Sequence, residues 1–228
     1  MTLSKLNLPV IKLLVAKDWR LFQKQLAVCV LAGIVALCLI GMAKSWSFYL
    51  GSLMLMIVLI LSACLSISTS LLEERKQQTL AFVMSLPVTP LDYYLAKLTG
   101  SLVTFFVPFV VMLAGTMFVI FFTPVPDGLI TLSLLIFGHV LVAYAIGLSV
   151  AMVVESEGWN LFAMIGSMVM INPFIMFIGQ LPVIKDFVET DTIVFGPVVT
   201  SILVSQVVVT IAILAVTGWV NGRKKSFY

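Results

Sequence analysis

Charge is scarce in this sequence. Of its 228 residues only 10% are charged while 61% are hydrophobic, and the mean hydropathy of +1.19 lies far above that of a chain that packs in water. No polar stretch is long enough to form a separate soluble domain. A GxxxxGK[ST] phosphate loop is missing, which excludes ATP chemistry by the chain itself. The three cysteines, Cys29, Cys38 and Cys64, stand inside apolar runs without CxxC spacing, and so suggest neither a metal site nor a disulfide framework. There is one histidine and no HExxH, and Glu73-Glu74-Arg75 lacks the EExxxR spacing of one class of intramembrane protease; that enzymatic reading is therefore a poor fit. The apolar runs hold no obvious inverted repeats and no carboxylates, which weighs against a stand-alone ion-coupled carrier. The net charge of +3 comes from bases flanking apolar runs, not from a continuous patch, so nucleic acid is not implied as a partner. No catalytic, cofactor-binding or metal-ligating residue is expected.

What the chain has is hydrocarbon-compatible length. Six windows of about 20 apolar residues can each cross a membrane: 26–43, 48–72, 98–122, 129–154, 161–179 and 197–220. The expected fold is all-α, a single polytopic membrane domain over residues 1–228. Before the first window, Ile11, Val15, Trp19, Phe22 and Leu26 form one apolar stripe, while Lys12, Ala16, Arg20 and Lys24 line another face. This pattern predicts an interfacial amphipathic helix with Trp19 at headgroup depth and its bases toward anionic lipid. A signal peptide is the competing reading, disfavoured because its basic region is brief. With the N-terminus inside, eleven bases fall on that side, and Lys44 and Lys185 alone fall outside. The positive-inside rule then places both termini in the cytoplasm. Pro108 is expected to bend the third span and Asn172-Pro173 to kink the fifth.

Polar residues inside the spans carry two readings each. Ser62, Ser66 and Ser70 recur every fourth residue, either lining a polar path or letting helices approach closely while bonding back to their own carbonyls. His139 is ionisable at depth and by default functional, yet it heads a line of Ala143, Gly147 and Ala151, the small-residue pattern of helix packing. Asn172 and Gln206 complete the candidate translocation path, Gln206 also being suited to an interhelical hydrogen bond. Glu155 and Glu157 either face a partner or end a helix in water. The 180–196 loop, with Lys185 and Asp191, is either exposed or an external gate.

The stretch between the second and third windows, Glu73 to Lys97 (EERKQQTLAFVMSLPVTPLDYYLAK), concentrates charge and helix punctuation. Glu73 to Ser85 lacks glycine and proline and starts with acids suited to a helix N-terminus. It stops before Pro87, since the residue preceding a proline leaves helical space. Thr89, Pro90 and Asp92 then supply the N-cap, first and third positions of a second helix that continues into the third span. Such an elbow is either a cytosolic loop lying on the membrane or a docking lever.

These residues resemble the cytoplasmic stretch of permease subunits of ABC-2 type transporters, through Glu74, Thr79, Leu80, Phe82, Ser85, Leu86, Pro87 and Lys97. Leu13 to Phe22 is similar to the connecting helix of that family, and an acid common in its Thr-Leu-x-Phe run is replaced here by Ala81. The resemblance implies a coupling helix, built from Glu73, Glu74, Arg75, Thr79, Leu80, Phe82, Val83, Met84, Ser85, Leu86 and Pro87, that docks on a separate ABC ATPase subunit where ATP and Mg are bound. It also implies a second permease, either a copy of this chain or a homologous one. The implied function is the membrane-spanning permease subunit of an exporter in a bacterial cytoplasmic membrane. Walls of Leu, Val, Phe, Met and Ser suit an amphipathic or hydrophobic cargo such as a peptide, a drug or a lipid-like molecule.

Overall fold

The structure, a computed structural model, describes residues 8–68, 71, 90–154 and 156–222. The described residues are helical and turn structure without strands. Helices α1 (Leu8–Gly41), α2 (Ser45–Ile67), α3 (Pro90–Phe122), α4 (Leu129–Val153), α5 (Glu157–Val169), α6 (Ile171–Ile178), α7 (Pro182–Lys185) and α8 (Pro197–Gly222) follow one another along the chain. Six stretches are long and apolar enough to cross a membrane: Ile11–Gly41, Ser45–Ile67, Asp92–Phe122, Leu129–Val153, Glu157–Ile178 and Pro197–Asn221. They overlay the six expected windows. Hydrocarbon offers backbone groups no water, so a spanning segment must satisfy them internally, as a helix does. The chain is a multi-pass membrane protein.

The N-terminal stretch differs from expectation. Instead of a separate interfacial helix followed by a span, α1 runs unbroken from Leu8 to Gly41. The physical reason is a single buried seam, Leu14, Asp18, Phe22, Cys29, Gly33, Ala36, Leu37 and Ile40, that continues along the whole helix. No proline interrupts it after Pro9. Lys12, Arg20 and Lys24 lie on the exposed side, as the charge pattern suggests. α1 packs mainly against α2 and α3. The turn into α2 is tight: Ala43 takes a left-handed φ of 51°, and Gly51 meets the α1 backbone so closely that a Cβ would lie 2.8 Å from the Ala36 carbonyl oxygen.

α3 begins at Pro90, where the Thr89-Pro90-x-Asp92 pattern puts a helix start, and continues through Pro108 to Phe122. The fifth span is interrupted at Met170, between α5 and α6. Pro173 has no N–H to offer the Val169 carbonyl, while the flanking amides still bond four residues back, Met170 N to Gly166 O at 3.2 Å and Phe174 N to Met170 O at 3.1 Å. The span is therefore interrupted at one residue, not ended.

A main core joins α1 to α6 around Ala36, Leu59, Ile67, Phe105, Val140 and Leu148. A smaller one, Leu135, Ile178, Ile184 and Val199, lies under the 179–196 connection. That connection folds over the start of α4: the Gly128 amide donates to Thr190 O at 2.9 Å, and the Thr131 hydroxyl donates to Val194 O at 3.2 Å. Lys185, Asp186, Glu189 and Asp191 stay exposed.

Gly128 fixes this cap, because a Cβ there would overlap the Phe187 carbonyl oxygen. The loop backbone must shift to admit a side chain, so Gly128→Val is expected to cost about 1–3 kcal/mol. Thermal unfolding in detergent, compared with an exposed control such as Ser201→Ala, measures it.

Candidate functional site

A deeply buried ion pair ties α1 to α3. Lys97 Nζ donates to both carboxylate oxygens of Asp18, at 2.9 and 3.2 Å. Asp18 is 3% and Lys97 1% exposed. The carboxylate rests on Gly100, one turn beyond Lys97, where a Cβ would approach Asp18 Oδ2 to 3.1 Å. At 1.5 Å per residue Asp18 lies about 35 Å along α1 from Gly41, and Lys97 about 38 Å along α3 from Phe122. With a hydrocarbon layer about 30 Å thick, the pair sits at headgroup level on the face where α2 ends and α3 begins. Protein, not water, surrounds it, and the mutual attraction has to offset the desolvation of both charges.

A chain of hydroxyls continues from this pair into the bundle. Ser101, one turn from Lys97, accepts through its carbonyl from Tyr144 Oη at 2.7 Å and from Ser66 Oγ at 2.9 Å. Ser66 Oγ also lies 2.8 Å from Thr104 Oγ1, and the Thr104 hydroxyl reaches Gly100 O at 3.0 Å. Phe105 stacks on Tyr144 at 3.8 Å and 11°. Three helices, α2, α3 and α4, thus share one polar knot wrapped in aromatic surface. Beside it a cavity of about 10 Å³, lined by Phe22, Gln25, Cys29, Ser62, Ser66 and Thr104 among others, has about the room of one water.

Ser62 does what serines in apolar helices commonly do, donating to its own Leu59 carbonyl at 2.8 Å. Ser66 instead bonds across helices. Ser70 lies outside the described residues, as do Glu155 and all of Glu73, Glu74, Arg75, Thr79, Leu80, Phe82, Val83, Met84, Ser85, Leu86 and Pro87.

His139 and Gln206 have their contacts elsewhere, among α4, α6 and α8. The His139 ring stacks on Phe174 with centroids 4.4 Å apart and 15° between planes, and its Nε2 is buried without a hydrogen-bond partner. Below it on α4, Ala143 accepts through its carbonyl from Ser167 Oγ at 3.2 Å, and a Cβ on Gly147 would lie 3.6 Å from the Met164 Cα. The small-residue line is where α5 packs. Gln206 Nε2 donates to Leu135 O at 3.0 Å, the interhelical bond that residue suits. Its Oε1 lies against Gly138 with no partner. Asn172 is exposed. Ser62 and Ser66 thus bond within the α2–α3–α4 contact, and His139 and Gln206 touch α6 and α4. Among the described residues no three His, Cys, Asp or Glu side chains converge as a metal site would require, and the cysteines are free.

Asp18 is the residue that sequence reasoning passes over. The signal is its register: one acid among the bases of its stretch, four positions from both Leu14 and Phe22, and so on the buried seam instead of the charged face. A carboxylate there requires a cation from inside the protein. Lys97, 79 positions away, supplies it and is not a solvated base of the connecting segment.

Two substitutions probe this site. Lys97→Met removes the cation that both oxygens of a buried carboxylate hold and is expected to lower stability by about 3–5 kcal/mol, whereas Asp18→Leu with Lys97→Met is expected to recover most of the loss. Tyr144→Phe keeps the stack on Phe105 but removes the hydroxyl that donates to Ser101 O, a cost of about 1–3 kcal/mol. Thermal melts of the purified variants in one lipid–detergent mixture rank all three, and a Lys97→Met melt equal to wild type contradicts the first expectation.

No family model matches this chain, and no curated protein or solved structure matches it.

Proposed function

We propose that this chain is the permease subunit of an ATP-driven ABC-2 type exporter, coupled to a separate ATPase. The observation that carries the reading is the segment Glu73 to Lys97, whose Thr-Leu-x-Phe and Ser-Leu-Pro stand between the second and third of six spanning helices and whose terminal lysine lies in the first turns of the third. Two successive spans leave and re-enter the membrane on one face, so α2 and α3 deliver that segment to a single side. The excess of Lys and Arg in the segments that flank the spans makes it the cytoplasmic side. The substituted Ala81 leaves the acidic contact of that run to Glu73 or Glu74.

The described interior favours a path between two permeases over a path through one. Leu59, Phe105, Val140 and Leu148 are fully buried at its centre, and the cavity beside Ser66 admits no more than a water. Cargo then travels along a wall of Leu, Val, Phe, Met and Ser with no charge at mid-membrane depth. That surface suits an amphipathic or hydrophobic peptide, drug or lipid-like molecule and disfavours a small inorganic ion. Nucleotide-driven closure of two ATPases moves the docked segments and opens the path. Outward direction and a bacterial cytoplasmic membrane follow from the resemblance.

Gentle purification from the native membrane tests the assignment. An equimolar partner with a Walker motif and ATP hydrolysis by the complex is the expected result; a homogeneous protein with neither overturns it. Within such a complex, Leu80→Asp or Phe82→Asp should lower ATP hydrolysis while leaving the permease inserted. Wild-type hydrolysis in both variants removes the coupling role from this segment.

A further inference from the structure

The Asp18–Lys97 pair joins two helices that each run on without interruption. α3 starts at Pro90, and Lys97 lies about 10 Å up the helix from it. A displacement of the start of α3 is therefore a displacement of Lys97. Asp18 belongs to a helix that reaches unbroken to Gly41 at the opposite face. Between them the contact has direction. The carboxylate is held by both its oxygens on Lys97 Nζ, and the bare surface of Gly100 receives it one turn further along. Sliding α1 against α3 by a turn would break this two-oxygen contact in a site that water does not reach, and that cost makes the joint stiff. The same few turns of α3 carry Ser101 and Thr104, which anchor to Ser66 of α2 and Tyr144 of α4. Apolar side chains of similar size stabilise such a site as well as an ion pair does. What they lack is a fixed register.

We propose that Asp18–Lys97 is a positioning pair that locks the N-terminal half of α1 to the first turns of α3 as one lever, carrying movement of the 73–87 segment into the first span. The inference rests on the reading of 73–87 as the segment that docks on the ATPase. It adds which span receives the movement and through which atoms.

The test uses the complex of this chain with its co-purified ATPase, reconstituted in liposomes. Met42, exposed at the far end of α1, is replaced by cysteine in a background where Cys29, Cys38 and Cys64 are alanine. The rate of maleimide labelling at Met42→Cys is read without nucleotide and with Mg-ATP and vanadate. Wild type is expected to change its labelling rate with nucleotide. Asp18→Leu/Lys97→Met is expected to stay folded, with a melting temperature near wild type, and to lose that response. Asp18→Asn/Lys97→Gln, neutral and of near-native shape, serves in its place where it folds better.

A nucleotide response equal to wild type in the folded double variant overturns the proposal and leaves the pair as packing alone. Hydrogen exchange on the isolated permease gives the second measure. Asp18→Asn should speed amide exchange roughly a hundredfold in both 12–20 and 92–99, and unchanged exchange in 92–99 overturns the joint itself. If wild type yields no ATPase or no nucleotide response, the docking reading fails and the lever falls with it. The exchange result, which needs no partner, tells that failure apart from failure of the pair.

Discussion

A carboxylate and an ammonium withdrawn from water are costly unless they are paired, and that constraint bears on how α1 and α3 meet. Asp18 lies on the buried seam of α1 and Lys97 on the side of α3 that faces it. The helices must pass at one height and one rotation. Gly100 is bare at the point where the carboxylate lands. The hydroxyl knot of Ser66, Thr104 and Tyr144 is built on the next turns of α3, so α2 and α4 inherit their register from the same contact.

Away from that pair, hydroxyls and glycines hold the bundle together. Lipid tails are as apolar as leucine, so apolar surface supplies little drive for helix association inside a membrane, and close backbone approach with hydrogen bonds takes its place. Thr116 and Thr210 back-bond within their own helices, hiding polarity that would otherwise face hydrocarbon. Thr217 reaches across from α8 to Ser149 of α4 at 2.7 Å, and Gln206 settles on Gly138. These contacts place α8 on the flank of α4. The two ends of the molecule differ accordingly: one carries an apolar cap folded over α4, the other a buried ion pair and the departure of the 72–89 connection.

Much of this architecture was legible from residues alone, for identifiable reasons. Spanning helices are read from length and hydropathy because hydrocarbon admits no other local solution. The α3 start at Pro90 and the interruption before Pro173 were legible because proline acts on its own backbone. The small-residue line through Ala143 and Gly147 pointed to packing, since spacing on a helix is local geometry. By contrast, the basic stretch before the first window reads as an interfacial helix, whereas α1 runs on unbroken. An amphipathic pattern shows that one face is buried without showing whether lipid or protein covers it.

The sequence by itself determined that the chain crosses a membrane six times, where those helices lie, and which segment between them is unlike the rest. These are consequences of local composition acting on a backbone that must satisfy itself. Only the tertiary structure decided which polar residues meet. Asp18 finds Lys97, Ser66 finds Tyr144 and Gln206 finds Gly138 across separations of tens of residues. Nothing in local spacing encodes such meetings; they follow from how the helices pack against one another.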